Sequence, residues 1–177
     1  MKYQKEKVIL TGFRATGKSS VGKILAKRLG FAFFDMDKTI ETQQGATIAE
    51  MVARGGWELF RSKEKELLQE LAVKQNVVIA TGGGAVMHEE AWAKLRDNGL
   101  SVWLTASPEV ICKRLAEDSI TDDQRPSLTD RGTMNEITMI LKERQELYRQ
   151  GSDLSLSTEG RTPVELAEII YQGIKNA

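Results

Sequence analysis

Short apolar runs alternate along the chain with longer segments whose apolar side chains recur every three or four positions. Val8–Thr11, Phe31–Phe34, Val77–Ala80 and Val102–Thr105 are nearly continuous in apolar character, and Leu154–Ser157 is a weaker fifth run. Runs of that length predict strands of a parallel sheet covered on both faces. Between them, Lys18–Leu29, Trp57–Lys74, Glu89–Asn98, Pro108–Glu117, Met134–Gln150 and Pro163–Ile174 carry a helical period. Pro108 and Pro163 suit the first helical turn, where a missing N–H costs nothing, and Ser107 and Thr162 suit the N-caps before them. Strands and helices in alternation predict a three-layer α/β fold, with ligands at the C-terminal ends of the strands.

Two stretches break the rhythm. Asp118–Gly132 is polar and rich in turn formers, either a lid or a solvated connection. Asp37–Arg54 predicts short helices off the sheet, interrupted at Gly45 and at Gly55-Gly56. No repeat or linker divides the 177 residues, so a single domain over 1–177 is expected.

Composition narrows the function classes. Lys plus Arg and Asp plus Glu stand at 25 each, so no global field draws the chain to nucleic acid or an anionic membrane. Met1–Lys7 is charged, no signal-like or membrane-spanning apolar run follows, and the single cysteine, Cys112, fits a reducing compartment. A cytoplasmic protein is expected, acting as a monomer since no heptad or extra interface segment stands out. No Cys/His cluster suggests zinc, and no Ser/His/Asp set suggests a hydrolase.

The chemistry begins at Gly12–Ser19, GFRATGKS, which fits G-x-x-x-x-G-K-[ST] between a strand and a helix. Such a loop directs backbone N–H groups and a helix N-terminus at an anion, with Lys18 reaching the β- and γ-phosphates and Ser19 ligating Mg²⁺. The alternative is a glycine turn without a ligand.

Asp35 and Asp37 end the second strand. One carboxylate there can hold Mg²⁺ through water and the other can accept from a substrate hydroxyl, or the two can be an ordinary capping pair. Gly82, Gly83 and Gly84 follow the third strand; bare backbone there admits a ligand or supplies unusual dihedrals. Arg61, three residues before Glu64, is either a surface ion pair or a guanidinium fork held for an anionic substrate, and Arg144 is a second candidate fork. Arg125, in the polar stretch, could neutralise a transferring phosphoryl group. Arg161 and Pro163 could flank a nucleotide base. His88 opens a helix after the glycines, where a cap or surface role is expected.

Taken in order, Gly12–Ser20, FFDMDKTIE, GGWELFRSKE, ATGGGAV, RPSL and RQELY resemble shikimate kinase over nearly the whole chain. The resemblance implies a P-loop NTPase fold of the nucleoside monophosphate kinase type. Its five-stranded parallel sheet has the order 2-3-1-4-5, with a substrate region near 35–63 and a mobile lid near 115–132. It implies phosphorylation of the 3-hydroxyl of shikimate, with ATP as co-substrate and Mg²⁺ as cofactor. ATP contacts fall on Ala15, Thr16, Gly17, Lys18, Ser19 and Ser20, on Arg125 in the lid, and on Arg114, Arg161 and Pro163 around adenine. Shikimate contacts fall on Asp37, Arg61, the Gly82–Gly84 glycines and Arg144, and metal contacts on Ser19 and, through water, Asp35. Catalysis is implied for Lys18, Asp37 and Arg125.

Two positions depart from the family pattern. Many members have glycine at Ala15; a left-handed φ would strain alanine by about 1 kcal/mol, so a negative φ is expected there. Trp57 stands where many members have glutamate, which removes a polar neighbour expected near Arg61. The alternatives are a kinase for another small hydroxylated acid, such as gluconate, or a nucleotide-binding module without catalysis.

Overall fold

In a computed structural model that describes residues 6–117 and 133–176, five parallel strands form one sheet in the order β2-β3-β1-β4-β5. The strands are β1 (Lys7–Thr11), β2 (Ala32–Asp35), β3 (Val77–Ala80), β4 (Gly99–Thr105) and β5 (Leu154–Ser157). The helices are α1 (Lys18–Leu29), α2 (Met36–Gln44), α3 (Ile48–Ala72), α4 (Glu89–Arg96), α5 (Pro108–Glu117), α6 (Thr133–Gln150) and α7 (Pro163–Asn176), with a 3₁₀ turn at Ala85–Met87. The expected lid, with Arg125, lies outside the described residues apart from the end of α5.

Side chains alternate between the two faces of the central strands. Val8 and Leu10 of β1 and Val78 of β3 pack with Val21, Leu25, Leu166 and Ile170 beneath α1 and α7. Ile9, Val77 and Ile79 face the other way, against Leu67, Leu68, Leu71 and Leu95 of α3 and α4. Each such side chain contributes about 1.5–3 kcal/mol when removed from water. A third cluster joins Phe13 of the phosphate loop to Ile111 and Leu115 of α5 and Ile137 and Ile140 of α6. β2 and β5 are the edges, which is why Ala32, Leu154 and Ser155 are exposed.

The boundaries differ from the expected ones where local chemistry intervenes. β2 begins one residue late and ends on Asp35, whose carboxylate caps α2 by accepting from Lys38 N–H. α3 starts at a capping box, Thr47 with Glu50, and is broken at Gly55 and Gly56 (φ 66°), just before its expected start at Trp57. α4 stops at Arg96, because Asn98 turns left-handed (φ 55°) into β4. Ser107 and Thr162 cap as expected, the latter reciprocally with Glu165.

Candidate active site

β1 ends at Thr11 and α1 begins at Lys18, so the phosphate loop is the turn between adjacent elements. Gly12 has φ 135°, and a Cβ there would stand 2.3 Å from the Leu104 carbonyl oxygen. Gly17, at φ 89°, is the N-cap of α1. The Thr16 hydroxyl donates to Phe13 O at 2.8 Å, and the Lys18 ammonium donates to Gly12 O and Phe13 O at 2.9 and 2.7 Å. Ser20 follows Ser19 in the first turn of α1.

Ala15 overturns the expectation of a negative φ: its φ is 60°. The turn needs a left-handed residue here, and alanine bears a strain of about 1–2 kcal/mol. Tertiary contacts hold it. Arg114 of α5 donates from Nη1 to Ala15 O at 3.2 Å and to Thr158 Oγ1 at 2.9 Å, and from Nη2 to Thr158 O at 3.1 Å. Arg161 donates to Ser157 O at 2.8 Å, and Pro163 opens α7. Arg114, Arg161 and Pro163 therefore gather around the chain leaving β5, on the α5 side of the loop.

The two aspartates part company. Asp35, besides capping α2, accepts a short hydrogen bond from the Ser19 hydroxyl, which places it beside the phosphate loop. Asp37 lies in the first turn of α2 and lines a separate pocket with Arg61, Arg144, Gly82, Gly83 and Gly84. Phe13 and Arg14 of the loop also line it, so the phosphate loop and the pocket share a wall.

Arg61 is no surface ion pair. Its Nη1 donates at 2.6 Å to Oε2 of Glu64, one turn on in α3, and the Glu64 side chain is only 1% exposed. The Arg61 guanidinium also lies 5.6 Å from the Trp57 ring and 5.4 Å from the Phe60 ring, within cation–π range. Trp57 thus gives Arg61 an aromatic neighbour where a glutamate was expected, and Glu64 supplies the carboxylate.

None of the three glycines has positive φ, and Gly82 and Gly84 serve by their lack of a side chain. A Cβ on Gly82 would stand 2.4 Å from Glu64 Oε1 and 3.1 Å from Asp37 Oδ1; one on Gly84 would stand 2.0 Å from Arg61 Nη1. Gly83 has ordinary space, but its carbonyl accepts from Arg144 Nη1 at 3.1 Å and from the Tyr148 hydroxyl at 2.5 Å. Burial pushes the Tyr148 phenol up to about 12, so it remains a donor at neutral pH.

Contacts in and behind the pocket escaped the sequence. Tyr148 sits one helical turn after Arg144, a spacing that could have flagged it. Arg14 of the loop pairs with buried Glu136 of α6 at 3.6 Å, and no local pattern announces that. His88 corrects an expectation: its ring makes no cap and is not on the surface but lies 3.0 Å from Glu64 Oε2.

A phosphate loop feeding a pocket of paired arginines and a carboxylate, on a 2-3-1-4-5 sheet, defines a P-loop kinase for a small anionic molecule. The family model for shikimate kinase matches residues 14–175. A shikimate kinase of Rhodopirellula baltica is 39% identical over 95% of this chain and 88% of its own length. One of Thermodesulfovibrio yellowstonii is 39% identical over 96% of each. The solved shikimate kinase of Acinetobacter baumannii in complex with shikimate is 32% identical and superposes with a TM-score of 0.90, covering 98% of this chain and 95% of that one. The chain belongs to the shikimate kinase family.

Proposed function

We propose that the chain transfers the γ-phosphoryl group of ATP to the 3-hydroxyl of shikimate, giving shikimate 3-phosphate and ADP. The observation that carries this is the convergence of Arg61, Arg144 and Asp37 in one pocket against the phosphate loop. Two guanidinium groups suit a carboxylate, and a neutral polyol would leave both without an anion. Asp37 would accept from the attacking hydroxyl and act as its weak base. The Gly83 carbonyl is already occupied by Arg144 and Tyr148, so its N–H is the group offered to substrate. Glu64 Oε1, buried without a hydrogen-bond partner against Gly82, would accept from a second hydroxyl.

Phosphoryl transfer has a loose transition state, so positioning and charge neutralisation do most of the work. Lys18 would leave the loop carbonyls for the β- and γ-phosphates, and Arg125 would add charge from outside the described residues. The Ser19 hydroxyl and Asp35 carboxylate, already in contact, are hard oxygen donors that fit Mg²⁺. Among the described residues no cluster of three or more His, Cys, Asp or Glu could hold a metal, so phosphate and water oxygens would complete its shell. When bound, Mg²⁺ neutralises phosphate charge. Ala15, Thr16, Gly17 and Ser20 would line the phosphates, and Arg114, Arg161 and Pro163 the adenine side. No described helix is long and apolar enough to cross a membrane. A cytoplasmic monomer is the proposed working form.

The test is Arg61→Ala. The KM for shikimate should rise at least about tenfold, the scale of a lost bond to a charged group, with the KM for ATP unchanged. Equal loss for both substrates contradicts the assignment.

A further inference from the structure

His88 stands outside the pocket lining, yet its imidazole reaches the carboxylate that holds Arg61. Its main chain is fixed on both sides: His88 N–H donates to Ala85 O at 3.2 Å and Trp92 N–H donates to His88 O at 2.7 Å. The ring is thereby carried from the end of the glycine loop across to α3, where Nε2 lies 3.0 Å from Glu64 Oε2. Arg61 Nη1 lies 2.6 Å from the same oxygen, and the ring is 14% exposed.

One carboxylate oxygen therefore accepts from two elements, the other being turned to Gly82 without a partner. A buried carboxylate held by a single donor can rotate about its last torsion and carry that donor with it. A second donor on the same oxygen from a different element fixes both the torsion and the identity of the inward oxygen. Nε2–H can make this bond in the neutral ring or in the imidazolium.

We infer that His88 is a positioning residue for acid recognition: by donating to Glu64 Oε2 it sets the plane of the Arg61 guanidinium and keeps Glu64 Oε1 turned inward. The inference rests on the assignment of Arg61 to the substrate carboxylate. Arg61 stays stacked near Trp57 and Phe60 without His88, so the loss should fall on acceptor binding, not on folding or the ATP site.

The test compares His88→Leu, His88→Gln and Arg61→Ala, alone and with His88→Leu combined with Arg61→Ala, in steady-state assays on the full chain. His88→Leu should raise the KM for shikimate about tenfold, with kcat and the KM for ATP within about twofold. His88→Gln, whose amide offers a donor near the Nε2 position, should recover to within about threefold of the parent. In the Arg61→Ala background, His88→Leu should add a smaller factor, about threefold or less, because of the two groups it positions only Glu64 Oε1 remains. An unchanged shikimate KM in His88→Leu, the same factor with or without Arg61, or parallel loss for both substrates would overturn the inference. If Arg61→Ala itself leaves the shikimate KM unchanged, the assignment of Arg61 fails first.

Discussion

Gly84→Ala tests how the glycine loop and Arg61 depend on one another. The added methyl carbon would stand 2.0 Å from Arg61 Nη1, 2.4 Å from Cζ and 2.6 Å from Nη2. Unstrained carbon contacts need about 3.5–4.0 Å, so the guanidinium must move by more than about 1 Å. Gly84 has φ −102° and ψ −3°, in the negative-φ bridge region that alanine can adopt, so the backbone need not change. The movement takes Nη1 away from Glu64 Oε2, now at 2.6 Å, and away from the position proposed to face the substrate carboxylate. A hydrogen bond to a charged group contributes about 1.5–3 kcal/mol. At 1.4 kcal/mol per decade, this corresponds to a rise of about 10- to 150-fold in the KM for shikimate. ADP release, followed with shikimate varied at saturating ATP and then the reverse, should show the KM for ATP within about twofold of the parent. Gly173→Ala in α7, whose methyl meets nothing within 4 Å, controls for the Gly-to-Ala change itself. It should leave the kinetics alone and raise stability by about 0.5–1 kcal/mol. A shikimate KM within about twofold of the parent in Gly84→Ala would refute the steric coupling.

Ala15→Gly relieves a left-handed alanine worth about 1–2 kcal/mol but frees the unfolded chain by about 0.4–1 kcal/mol. A net gain of about 0.5–1 kcal/mol should raise Tm by about 1–4 °C, and a fall in Tm contradicts the strain. Tyr148→Phe removes the 2.5 Å bond to Gly83 O and should cost about 1 kcal/mol below pH 9. Because burial raises the phenol from its ordinary 10 to about 12, the stability it contributes is whole below pH 10 and is lost as pH rises toward 12. Denaturant melts should show the parent's advantage over Tyr148→Phe shrinking above pH 10, and a constant advantage to pH 11.5 refutes this. Asp35→Asn should raise the Mg²⁺ concentration for half-maximal activity by about tenfold or more, given a lost carboxylate donor beside Ser19; an unchanged Mg²⁺ dependence removes Asp35 from the metal site.

The layers follow from apolar runs and helical periods, and the phosphate loop from its spacing, because these are properties of contiguous residues, whereas the strand order comes only with the family resemblance. What the sequence hides is the space between elements. Gly82 and Gly84 read equally well as dihedral or steric glycines until Glu64 and Arg61 are placed against them. Ala15 was expected to avoid positive φ on intrinsic cost alone, but a bond from Arg114, 99 residues away, helps hold the turn. His88 reads as a helix opener because its partner, Glu64, is 24 residues earlier on another element. Asp35 and Asp37 read as a pair, yet the start of α2 between them sends one to the phosphate loop and the other to the acceptor pocket.

The decisive measurement is ³¹P NMR of the purified chain with ATP, Mg²⁺ and shikimate, set beside the same mixture with gluconate or with no acceptor. One phosphate monoester on the 3-hydroxyl of shikimate should form for each ADP, with little ADP in the other two mixtures. ADP formation that follows gluconate, or that needs no acceptor, would contradict the assignment of Arg61, Arg144 and Asp37 to shikimate.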